Sequence, residues 1–168
     1  MKVILYMAIS VNGMIAKKDD DTSWISQKEW DSYSLVVRTA GNVVIGRRTY
    51  EIITKQPGFA ELKDIKVVVV SSQDFPTLSE NHVITHSPQE ALQKLEHFDT
   101  VVVAGGSILN ASFMNANLID EIYLDIEPIA IGSGIPLFNT EEFENKLQLL
   151  EINKITDGEI QLHYKVIK

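Results

Sequence analysis

Val67–Val70 and Val101–Val103 are unbroken runs of valine, and they constrain the fold more than any other feature of the chain. A strand with one wet face alternates apolar and polar residues. A strand that is apolar at every position is covered on both faces, the situation of a central strand in a parallel sheet flanked by helices. Strands are expected over Lys2–Val11, Asn42–Gly46, Ile65–Ser71, His82–Thr85, Thr100–Ala104, Glu121–Ile129, Leu147–Thr156 and Glu159–Ile167. Helices are expected near Ser26–Ala40, Arg47–Thr54, Pro88–Glu96 and Ser107–Ala116. Ser87-Pro88 places an N-cap before a proline at the first helical position, and Gly41 is suited to end the first helix. Asp157-Gly158 between the last two runs signals a tight hairpin. The fold class is therefore α/β: a mostly parallel sheet flanked by helices, closing with a C-terminal antiparallel hairpin. No repeat or linker divides the 168 residues, so one domain is expected over 1–168.

Charge narrows the partners. With 15 Lys+Arg against 23 Asp+Glu, the net charge of -8 argues against a broad nucleic-acid footprint or an anionic membrane surface. There is no cysteine, hence no disulfide, thiolate nucleophile or Cys-ligated zinc. The apolar run Val3–Val11 is far short of the roughly 18 residues of a membrane span. Asn12-Gly13 follows it, where a signal peptide would place a small-residue cleavage site. A cytoplasmic protein acting on a small molecule is expected, and Asn110-Ala111-Ser112 is then a chance glycosylation match.

In open α/β sheets ligands bind beyond the carboxyl ends of the strands, and three such ends carry unusual residues. At Gly46-Arg47-Arg48-Thr49 two arginines stand in a first helical turn, where they oppose the helix dipole unless an anion joins them. A solvated surface pair explains them equally well. At Gly105-Gly106-Ser107-Ile108-Leu109 paired glycines allow close approach to a pyrophosphate, and also suit a plain tight turn. The usual Gly-x-Gly-x-x-Gly fingerprint is missing. At Ser71-Ser72-Gln73 hydroxyls stand where many NAD sites place an acid; they either face a 2′-phosphate or simply start a loop.

Taken in order, Ala8, Trp24, Gly46-Arg47-Arg48-Thr49, Ser71-Ser72-Gln73 and Gly105-Gly106 resemble the dihydrofolate reductase fold. A closer resemblance is to the C-terminal reductase domain of the bifunctional riboflavin-biosynthesis deaminase/reductase. It rests on Ser10–Ala16, Trp24-Ile25-Ser26, and Leu118–Glu121 leading to Gly132–Phe138. The chain resembles a stand-alone member without the deaminase half. The resemblance implies an NADPH-dependent reductase and a homodimer. Arg47, Arg48 and Thr49 would hold phosphates, with Gly46 opening their turn; Ser71 and Ser72 would face the 2′-phosphate. Gly105, Gly106, Ser107, Ile108 and Leu109 would line the pyrophosphate and nicotinamide side, and Ala8 would meet the carboxamide through its backbone. Met14, Trp24 and Ser26 would border the substrate.

Glu29 carries two readings. It lies five residues after Trp24, the spacing of the folate-reductase carboxylate, where it would relay a proton. It is also the fourth residue of Ser26-Gln27-Lys28-Glu29, a capping box in which its carboxylate would bond a backbone N–H. Met14 stands where riboflavin reductases tend to carry lysine, which removes a polar handle from the substrate side. His82 and His86 would be about 13 Å apart on an extended strand, too far to share a metal. The leading expectation is hydride transfer to a small heterocycle, of the 5-amino-6-(5-phosphoribosylamino)uracil type or pterin-like. The alternative is an NADP-binding module without turnover.

Overall fold

The computed structural model describes residues 1–62, 64–139 and 142–168. The valine runs do form interior strands of a sheet. Strands β1 (Lys2–Ser10), β3 (Asn42–Gly46), β4 (Lys66–Val70), β5 (His82–Thr85), β6 (Thr100–Val103), β7 (Glu121–Glu127), β9 (Lys146–Lys154) and β10 (Ile160–Ile167) form eight strands. Their order is β5-β4-β3-β6-β1-β7-β10-β9. Pairing is parallel from β5 through β7, and antiparallel where β10 meets β7 and β9. Val67, Val68, Val69, Val101, Val102 and Val103 are all fully buried. Helices α1 (Gln27–Ala40), α2 (Arg47–Ile53), α3 (Pro88–Gln93) and α4 (Ser107–Asn115), with a 3-10 turn over Pro57–Leu62, cover the sheet.

Two apolar clusters sandwich it. Val3, Leu5, Val101, Val103 and Phe113 pack on one face, and Tyr6, Val37, Val43, Ile45 and Val102 on the other. Odd and even positions of the same strands divide between the faces, as strand geometry requires. Gly41 ends α1 in the left-handed conformation at φ 72°, and its N–H donates to the Val37 and Arg38 carbonyls.

A second sheet was absent from the sequence reading. β2 (Met14–Lys17) pairs antiparallel with β8 (Gly134–Pro136), which lies where only a glycine-rich loop was expected. A Cβ on Gly134 would run into the Ala16 carbonyl, so the pairing depends on glycine there. The C-terminal turn also departs from a simple two-residue hairpin. Gly158 does not take positive φ, and the Thr156 hydroxyl accepts the N–H groups of Gly158 and Glu159 instead. Asn110 is fully buried and donates to the Leu137 carbonyl, which leaves it no role as a glycan acceptor. Among the described residues no helix is long and apolar enough to cross a membrane.

Candidate functional site

A cleft of about 1160 Å³ opens along the carboxyl ends of β1, β3 and β6. β3 and β6 are neighbours, and each leaves the sheet through glycine straight into a helix. The Gly46 N–H donates to the Gly105 carbonyl at 2.8 Å, stitching the two turns together. Gly105 sits at φ 86°, and the Gly105–Gly106 peptide is cis. A Cβ on Gly106 would lie 3.3 Å from Thr49 Oγ1, so side chains here would fill the crevice between the turns. Ser26 and Ser87 cap α1 and α3, but Gly46 and Gly106 give α2 and α4 no side-chain acceptor. The first N–H groups of these helices therefore have no side-chain acceptor from their caps. Ser107 Oγ is buried at the start of α4 and has no partner among the described residues. Ile108 is 67% exposed at the cleft wall, with Leu109 buried behind it.

Arg47 and Arg48 line this end, and each is already engaged. Arg47 Nε donates to Glu51 at 2.8 Å, and its guanidinium lies 5.0 Å from the centroid of the Phe75 ring. Arg47 Nη1 also reaches Gln73 Oε1 at 3.3 Å. Arg48 donates through Nε and Nη2 to Asp20, with the Nε contact at 2.8 Å. Ala8 and Thr49 are in the cleft wall as well. Ser71 and Ser72 lie outside that wall. The Ser71 hydroxyl closes its own turn, donating to the Gln73 carbonyl at 2.7 Å and accepting the Gln73 N–H at 3.1 Å. The wall ends at Val70, and the groups beside Arg47 are Gln73 and Phe75.

The other end holds Glu29, buried at 6% exposure. Its two sequence readings separate here. The Glu29 N–H donates to Ser26 Oγ at 3.1 Å, so half of the capping box exists. The reciprocal half does not, because the Ser26 N–H donates to Glu127 Oε1 at 2.7 Å. The Glu29 carboxyl is therefore free of the cap, and no described residue is hydrogen-bonded to it. Burial pushes it up to about 8, with the charges of Asp125, Glu127 and Glu159 adding to the effect. At neutral pH it is a carboxylic acid that can donate a proton.

Asp125, Glu127 and Glu159 are themselves buried, at 2%, 3% and 9% exposure. Desolvation raises both Asp125 and Glu127. Tyr6 donates to Asp125 Oδ2 at 2.5 Å and Gln161 to Oδ1 at 2.8 Å, which holds that carboxyl in place. Burial, then the Asp125 charge, pushes the Tyr6 phenol far above its ordinary range, so Tyr6 stays a donor. Tyr123, Asp125 and Glu127 alternate along β7 with Ile122, Leu124 and Ile126, the pattern of a half-buried strand, yet Asp125 and Glu127 are buried. The missed signal was two acids at alternate positions of a strand next to the central ones.

Of the three residues expected beside the substrate, Ser26 is in the wall, while Met14 and Trp24 are not. Met14 lies in β2 with its N–H donated to Ser10 Oγ, and the Trp24 indole N–H donates to the Asp21 carbonyl at 3.2 Å. Ile15, Ala16, Thr22 and Ile25 take their places in the wall.

A mostly parallel sheet closed by an antiparallel hairpin, with its cleft across the β3/β6 turns, places the protein in the dihydrofolate reductase-like class. More narrowly, it belongs to the RibD C-terminal domain family, which matches residues 1–160. Uncharacterized protein YwjB of Bacillus subtilis is 34% identical over 171 residues, 97% of each chain. Dihydrofolate reductase type 1 of Escherichia coli is 30% identical over 132 residues, 76% of this chain and 78% of that one. Among solved structures, a diaminohydroxyphosphoribosylaminopyrimidine deaminase/5-amino-6-(5-phosphoribosylamino)uracil reductase of Thermotoga maritima superposes with a TM-score of 0.74 at 16% identity. The match covers 99% of this chain and 56% of that one.

Proposed function

We propose that the protein is an NADPH-dependent reductase that transfers a hydride to a small nitrogen heterocycle. The observation that carries this is one cleft that joins the buried Glu29 carboxyl to the uncapped start of α4, where the buried Ser107 Oγ has no partner among the described residues. The residues present fit the cofactor. A Cβ on Gly106 would crowd Thr49 Oγ1, Ser107 Oγ has no partner among the described residues, and Arg47 and Arg48 supply local positive charge. Arg47, Arg48, Thr49 and the first turn of α4 would hold phosphates, while the backbone at Ala8 would meet the carboxamide. The bound cofactor supplies the hydride. Glu29 supplies the proton to the substrate nitrogen and is reprotonated from water; Tyr6 and Asp125 keep the floor of the site fixed. Family membership supports a reductase of this kind.

Saturating NADPH should raise the melting temperature by several degrees, and NADH by less. NADPH oxidation should then follow when pterins and pyrimidines are screened. Stabilisation without any oxidation would favour a binding module, and no stabilisation by either cofactor would remove the assignment. The same reading includes a homodimer in the cytoplasm. Its support is the open edge strand β9, where Leu147, Leu149, Leu150 and Ile152 are 44–58% exposed. An uncovered apolar edge of this kind invites pairing with a second copy. Analytical ultracentrifugation checks it: a dimer mass is expected, and a monomer at micromolar concentration would refute it.

A further inference from the structure

The cleft walls carry an uneven set of charges. Among the described residues that line them, the cations are Arg47 and Arg48, the anions are Asp20 and Asp21, and Glu29 is the remaining acid. Both arginines stand on the turn from β3 into α2, at the end built from glycines, and both are held by acids, Glu51 and Asp20. The end around Glu29 is closed by Trp30 packing on Gly58, with Tyr33, Ile52, Ile53 and Gln56 in the wall. No cation faces it. Lys17, near its mouth, is tied to Asp21 at 2.6 Å and lies outside the wall. Behind the wall stand the buried carboxyls of Asp125, Glu127 and Glu159. A phosphate or carboxylate there would lose its hydration, meet no counter-charge and face like charges.

Resting on the reductase reading above, we infer that the substrate is an uncharged planar heterocycle bearing neither phosphate nor carboxylate. The cofactor's own phosphates occupy the arginines, so a substrate anion would have to displace either them or Asp20. An apolar slot ending in one neutral acid instead suits a ring with a nitrogen to protonate and no anionic tail. The substrate is thus supplied as a free base or a dephosphorylated side-chain derivative, by a reaction that has already removed any phosphate.

Two matched pairs test this with the full chain saturated in NADPH. One is 5-amino-6-(5-phosphoribosylamino)uracil against its dephosphorylated counterpart; the other is dihydrofolate against dihydropterin without the glutamate tail. Calorimetric binding should favour the anion-free member at least tenfold in both pairs, and turnover should follow the same order. Gln56→Arg should improve binding of the anionic members at least tenfold. Equal or tighter binding of the anionic members by the unaltered protein overturns the inference. So does a protein that NADPH stabilises but that binds neither member of either pair. A protein that NADPH does not stabilise overturns the reductase reading beneath it instead.

Discussion

Replacing Glu29 by glutamine is expected to cut turnover at pH 7 by about 100-fold or more while making the protein more stable at alkaline pH, the range of effect for a lost general acid being roughly 10²–10⁴. The two effects have opposite signs because they arise from one proton. In the unfolded chain Glu29 titrates at its ordinary value near 4.5; in the folded protein burial and the neighbouring acids hold it at about 8. Between these values the folded state binds the extra proton, so stability falls as pH rises from about 4.5 through about 8. Below that window Glu29 is neutral in both states and contributes no penalty. Above it the full cost of a buried charge applies, on the order of several kcal/mol for a shift of this size. Glutamine has nearly the same shape and no charge, so urea unfolding of Glu29→Gln should show a flatter pH dependence across that window. Turnover of the unaltered enzyme should hold below pH 8 and decline above it, and the substituted enzyme should lack that limb. Asp125→Asn, which removes one of the charges raising Glu29, should move the limb to lower pH. A variant that is stabilised at high pH yet turns over normally would leave Glu29 a buried acid without a role in the reaction.

The parts of the molecule legible in the sequence are those set by local pattern. Val67–Val70 and Val101–Val103 announced buried parallel strands, and Gly46 and Gly105-Gly106 announced turns at their ends, because strand burial and glycine turns are properties of a few adjacent residues. Contacts between distant segments were not legible. Ser26-Gln27-Lys28-Glu29 has the spacing of a full capping box, but Glu127, 101 residues away, takes the Ser26 N–H. That single contact releases the Glu29 carboxyl from the cap. Asp125 and Glu127 alternate with Ile122, Leu124 and Ile126 as wet residues usually do, yet both are buried, at 2% and 3% exposure. Ser71 has two readings in the sequence, a 2′-phosphate contact and a loop start, and its hydroxyl bonds the Gln73 backbone two residues on, as a loop start would. The β2–β8 pair is short and rests on the close approach of Gly134 to Ala16, which leaves no periodicity to read.

Neutralising both arginines, Arg47→Ala with Arg48→Ala, should weaken NADPH binding by roughly 10–1000-fold, since hydrogen bonds to charged groups contribute about 1.5–3 kcal/mol each and the two share one site. The protein as a whole repels this cofactor: a polyanion must bind a chain of net charge -8. Any favourable field is therefore local, and the two arginines are the cations of the cleft wall among the described residues. Glu51 and Asp20 already neutralise them, so binding is an exchange in which phosphate replaces a carboxylate. The exchange is easiest at Arg48, whose side chain is 70% exposed. Asp20→Asn should accordingly tighten NADPH binding several-fold by freeing Arg48, the opposite sign to the arginine changes. Calorimetric titration at two salt concentrations reads both effects. The unaltered protein should lose affinity steeply with added salt, and the double arginine variant should lose less, because part of the attraction that salt screens is already gone. An affinity unchanged by the double substitution would move the phosphates away from the β3–α2 turn, leaving the uncapped start of α4 and its buried Ser107 hydroxyl to hold them unaided.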